Sequence, residues 1–142
     1  MTSTPPAEKK RETSTPSHHL ARQVALAMLD KKAADVAVLD MRGISGVADF
    51  FVLGTGAADL QIRAIADGVR ESVLDEYAER PWHVEGYGER RWVVLDYVDV
   101  VAHVFDQERR EFYDLERLWA DAPKETVGEE ATTVAMLDAI DA

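Results

Sequence analysis

"RRWVVLDYVDVVAHVFDQERREFYDLERLW" (residues 90–119) carries the pattern that decides the fold. Its first part alternates. Trp92, Val94 and Asp96 fall on one face of an extended chain, and Val93, Leu95 and Tyr97 on the other. "DVVAHVF" is apolar in both phases apart from His103, as expected of a central strand buried on both faces. Tyr97-Val98 reads as the turn between the two strands. Asp106 then opens a helix in which Phe112, Leu115, Leu118 and Trp119 form one inward stripe, with Tyr113 about 100° off it. Pro123 stops that helix.

Working outward, Ser17 is placed to cap a first helix whose apolar face is Leu20, Val24, Ala27 and Met28. "DVAVLDM" (35–41) and "DFFVLG" (49–54) read as two strands, and the short turn between them implies antiparallel pairing. A second helix follows, with Thr55 or Asp59 as cap and Ile62, Ile65, Ala66, Val69 and Val73 as its buried stripe. Gly68 inside it costs up to about 1 kcal/mol against Ala, which points to close packing there. "WHVEGY" adds a short strand before the turn at Gly86 and Gly88. The sum is an α/β domain: a mixed five-stranded sheet packed by helices.

All four phenylalanines, four tyrosines and three tryptophans lie between Phe50 and Trp119, so the core belongs to the middle of the chain. Residues 1–16 are rich in Ser, Thr and Pro and read as a disordered leader. Residues 17–122 form the domain, and 123–142 read as an acidic flexible tail. The chain has no cysteine, which excludes disulfides and thiolate metal sites. Neither a secretory leader nor a membrane span is expected, so the reading is of a cytoplasmic protein.

Charge narrows the partners. Acidic residues number 27 against 16 basic, a net of −11. Such a surface repels nucleic acid, so direct DNA binding is not expected; a basic protein is the better electrostatic match.

Catalytic motifs are weak. "GTGAAD" (54–59), between strand and helix, has the placement of a phosphate loop, but it lacks the lysine and spacing of a P-loop. The plain alternative is a strand-to-helix turn. Asp96 and Asp99 invite a metal reading; three apart, they point to opposite sides of a strand unless the chain turns between them. His103 in a buried strand is more simply a core residue than a ligand. No metal or cofactor is expected. The aromatics say more: Tyr113, a large aromatic off the buried stripe, needs some use, and aromatics are favoured interface anchors.

The order "ADFFVLGTG…Q…AIAD…VEGYGERRWVVLDYVDVVAHVF…RREFYDLERLWADA" closely resembles the ribosomal silencing factor, or Iojap-related, family from about Leu20 to Ala122. The resemblance implies a nucleotidyltransferase-like fold without its catalytic carboxylates. It implies a non-enzymatic repressor of translation that binds the large ribosomal subunit through ribosomal protein fourteen and blocks joining of the small subunit when nutrients are short. A role in large-subunit maturation is also implied. Carried over by motif, the contact residues are Trp92, Asp96, Tyr97, Asp99, Tyr113, Leu118 and Trp119. A homodimer, an active nucleotidyltransferase and an adaptor for some other protein stay open as alternatives.

Overall fold

The computed structural model describes residues 15–142 apart from Ser45; most of the expected leader therefore lies outside the described residues. Helix α1 (Ser17–Asp30) starts behind Pro16. Strands β1 (Ala34–Asp40) and β2 (Phe50–Thr55) follow, then helix α2 (Asp59–Tyr77). Next come β3 (His83–Glu85), β4 (Trp92–Asp96) and β5 (Val100–Phe105). Two short helices, α3 (Gln107–Tyr113) and α4 (Leu115–Leu118), lead to β6 (Lys124–Thr126), α5 (Ala135–Asp138) and a 3-10 turn, Ala139–Asp141.

The sheet runs β3-β4-β5-β2-β1-β6. β2 and β5 pair in parallel, which the long connection through α2, β3 and β4 permits. The other pairings are antiparallel, β1 with β2 included. β2 and β5, at the centre, are buried at every residue.

The two faces of the sheet are covered unequally. Val38, Phe50, Val52, Val93, Leu95 and Val104 face α1 and α2, whose predicted stripes are all buried against them. Leu39, Phe51, Leu53, Val101 and Phe105 point the other way into a smaller cluster, with Trp92, Val94, Leu115 and Trp119 packed only partly over it. Among the described residues no long helix seals this second face.

Gly68 has the close contact its cost suggested. A Cβ there would stand 2.8 Å from Cγ of Lys31, where the end of α1 passes over α2. Gly86 is needed twice over. Its φ is +88°, and a Cβ would run into the carbonyl oxygen of Trp92.

Three expectations need correction. The sheet has six strands, because the C-terminal segment is part of the fold. Val38 and Leu39 pair with Glu125 and Lys124, and Val127, Val134 and Leu137 are buried beside α1. Glu125 receives N–H bonds from Ala135 and Met136 at 3.0 and 2.6 Å, so a residue of the edge strand caps α5. Acidic residues between these few apolar ones hid the packing. The helix after Asp106 is also broken: Asp114 adopts a left-handed conformation, φ 46°. That break turns Phe112 and Leu118 outward, at 78% and 67% exposure, and leaves Leu115 and Trp119 half-covered. Third, Pro16 and Ala58 hold the cap positions of α1 and α2, in place of Ser17 and of Thr55 or Asp59.

Candidate functional site

On the open face, six rings follow one another across the sheet. Phe112 meets Tyr113 edge-on at 4.9 Å between centroids, and Tyr113 lies 4.7 Å from Trp92. Trp92 is 5.9 Å from His103, His103 4.9 Å from Phe51, and Phe51 6.4 Å from Trp119. The strip begins on α3, crosses β4, β5 and β2, and ends where α4 stops. Its α3 end is open to solvent, with Phe112 at 78% and Tyr113 at 51%, while Trp119 at the other end is half-covered. Its middle is buried, so the exposed rings stand on a packed base. Aromatic pairs at these separations are worth about 0.5–1.5 kcal/mol beyond their burial, which holds the platform in shape before anything docks.

His103 sits at the centre. The Trp92 indole N–H donates to its Nδ1 at 3.1 Å, so the imidazole proton is on Nε2. Burial pushes its pKa down to about 4, so the ring is neutral near pH 7. Among the described residues Nε2 has no hydrogen-bond partner. The core reading of His103 is therefore half right: one nitrogen is satisfied and one is not.

The arm α3–α4 is anchored by Arg110, which sequence reading passed over. Its guanidinium is buried and donates to the carbonyl of Asp35 at 2.6 Å and to Oγ1 of Thr55 at 2.9 Å. It also forms a two-pronged pair with Glu116, at 3.1 and 3.0 Å, and lies over the Phe105 ring. Lys124 adds a bond of 2.9 Å to the same carboxylate. Arg110, then Lys124, hold the Glu116 pKa down to about 2 against the opposing effect of burial. One guanidinium thus ties the helices bearing Phe112, Tyr113 and Leu118 to β1 and β2. A basic residue between Arg109 and Glu111, off the apolar stripe of Phe112, Leu115 and Trp119, carries no sign of this in the sequence.

The predicted contact residues divide. Trp92, Tyr113, Leu118 and Trp119 lie on the open face or the arm that edges it. Tyr97 does not. It is 4% exposed, packs with Val93 and Leu95 on the helix-covered side, and burial raises its pKa. The strand alternation already grouped it with those two residues. Asp96 accepts the Val98 N–H at 2.7 Å and holds Val98 at φ 74°, a turn-stabilising role. The Asp99 carbonyl accepts from Asp49 and Phe50 at 2.7 and 3.1 Å, closing β5 onto β2. Both carboxylates are half-exposed turn groups.

The "GTGAAD" turn keeps few amides for an anion. Gly56 N–H bonds the carbonyl of Phe105 at 3.0 Å, and Ala57 N–H is taken by Oε1 of Gln61 at 2.6 Å. Among the described residues no helix is long and apolar enough to cross a membrane.

The family model described as "Ribosomal silencing factor during starvation" matches residues 14–140, which takes in the C-terminal segment as well as the sheet. The chain belongs to the ribosomal silencing factor family. A ribosomal silencing factor of Bacillus subtilis is 46% identical over 99 residues, covering 70% of this chain and 83% of its own. The mitochondrial Iojap-related protein of Arabidopsis thaliana is 32% identical over 102 residues, covering 69% of this chain and 55% of that one. A crystal structure of a Chromobacterium violaceum protein superposes with a TM-score of 0.72 at 26% identity, covering 82% of this chain and 97% of that one. The family's order of strands and helices is thus the frame on which the aromatic strip is built.

Proposed function

We propose that the chain represses translation by docking on the large ribosomal subunit through its aromatic face, so that the small subunit cannot join. The contact is ribosomal protein fourteen of the large subunit, engaged in the cytoplasm when nutrients are short, and the action is steric rather than enzymatic. The observation that carries the reading is the strip from Phe112 to Trp119 on the sheet face opposite α1 and α2. Exposed rings on a rigid base are what protein interfaces use as anchors. A net charge of −11 suits a basic ribosomal protein and speeds encounter with it. Membership of the ribosomal silencing factor family supports the same target.

The mechanism needs only that the free large subunit bind this chain more tightly than it binds the small subunit at the working concentrations. Mixing purified subunits with and without the protein and resolving them on sucrose gradients tests it. Joined ribosomes should give way to separate subunits, with the protein sedimenting beside the large one. Undiminished joining at saturating protein contradicts it, and absence of co-sedimentation would favour an adaptor for another protein.

A further inference from the structure

His18 and His19 stand in the first turn of α1, and Asp141 lies in the 3-10 turn at the other end of the chain. Nε2 of His18 is 2.6 Å from Oδ1 of Asp141, and Nε2 of His19 is 2.9 Å from Oδ2. The two rings are 4.3 Å apart, tilted by 57°. One donor atom from each of the three side chains falls within 4.8 Å of the others. We propose that His18, His19 and Asp141 bind a transition-metal dication of the Zn²⁺ type, and that this ion fastens the C-terminal segment to the first helix.

Two imidazoles and a carboxylate select zinc-like ions over Mg²⁺ or Ca²⁺, which take oxygen ligands. Zinc needs ligands at about 2.0–2.2 Å, so donors around it stand roughly 3.3 Å apart. The carboxylate therefore has to withdraw by about half an ångström, and the two imidazole nitrogens, which lie within 4.8 Å of each other, have to come to the same spacing. Each Nε2 now donates its proton to the carboxylate; on metal binding that proton leaves or moves to Nδ1, freeing the nitrogen lone pair. Three protein ligands leave the fourth tetrahedral position to water, which the half-exposed Asp141 admits.

The donors need not be gathered from a mobile chain. α1 is held by Leu20, Ala21 and Val24, and the C-terminal segment by Val134 and Leu137, all buried. Arg22, the nearby cation, is 4.0 Å from Asp141 but committed to Asp138 at 2.7 Å. α1 covers the side of the sheet opposite the aromatic strip, so the ion should act on stability and leave docking alone.

The test is calorimetric titration of the chelator-treated full chain with zinc chloride, paired with thermal unfolding. One ion should bind per chain with a Kd tighter than about 50 μM. The unfolding midpoint should rise by about 5 °C or more at hundredfold excess over Kd. His19→Ala and Asp141→Asn should each weaken binding at least about tenfold, whereas His83→Ala, at the separate His83–Glu85 pair, should not. Asp141→Asn is isosteric and half-exposed, so it tests the ligand without a risk to folding. A Kd weaker than this, or one that survives Asp141→Asn, overturns the site.

Discussion

The indole N–H of Trp92 donates to Nδ1 of His103 across 3.1 Å, joining neighbouring strands at the middle of the aromatic strip. Trp92 therefore serves the fold and the proposed docking surface together. Trp92→Phe keeps a ring between Tyr113 and His103 but removes the donor, leaving a buried nitrogen unsatisfied at a cost of about 1–3 kcal/mol. Denaturant midpoints should fall accordingly while affinity for large subunits changes by less than about fivefold. An unchanged midpoint would mean that the bond contributes nothing.

His103 should make stability depend on pH. Burial lowers its folded pKa to about 4, below the roughly 6.5 of an unfolded chain. Between these values the unfolded chain binds a proton that the folded one refuses. Its contribution is thus complete above pH 6.5 and is lost as pH falls towards 4, by on the order of 3 kcal/mol. His103→Asn retains an acceptor for Trp92 and does not titrate, so its unfolding free energy should vary less across pH 4–6.5. Parallel curves for the two proteins would rule out this account of the histidine.

Glu116 acts in a lower window. Arg110 and Lys124 hold its folded pKa at about 2 against an ordinary 4.5. Its stabilisation is present above pH 4.5 and disappears as pH falls through about 2. Glu116→Gln should cost on the order of 2 kcal/mol at pH 7 and almost nothing at pH 2. It should also weaken ribosome binding, because the arm carrying Tyr113 loses its anchor. Equal stability at pH 7 would show that Arg110 does not need this partner.

The helix-covered half of the fold was legible because it obeys simple periods. Leu20, Val24 and Met28, and likewise Ile62, Ile65 and Val69, recur at helical spacing and are buried as that spacing requires. β6 was not legible, since three residues give no period, and "KET" pairs through its backbone. Asp114 concealed the break between α3 and α4, because a lone Asp at positive φ resembles any other helical residue. That break decides which aromatics reach the surface. Alternation placed Tyr97 with Val93 and Leu95 correctly; which of the two strand faces the helices would cover was settled only by tertiary packing.

Removal of residues 123–142 should be severely destabilising. It deletes the edge strand along β1 and takes Val127, Val134 and Leu137 out of the core. Burial of three such side chains is worth roughly 1.5–3 kcal/mol each. A chain ending at Ala122 should therefore unfold at much lower denaturant or not fold at all. A midpoint like that of the full chain would make the segment dispensable.

The most direct test of the docking face is the affinity of purified large subunits for the wild-type chain and for Tyr113→Ala, measured alongside the denaturant midpoint of each. Tyr113 is 51% exposed, and its ring contacts Trp92 and Phe112. Its removal forfeits two ring pairs and should cost about 1–3 kcal/mol of stability, and in the chain that stays folded about 2 kcal/mol or more of binding, roughly thirtyfold in Kd. A stable Tyr113→Ala chain that binds large subunits as tightly as wild type would contradict the assignment of this face.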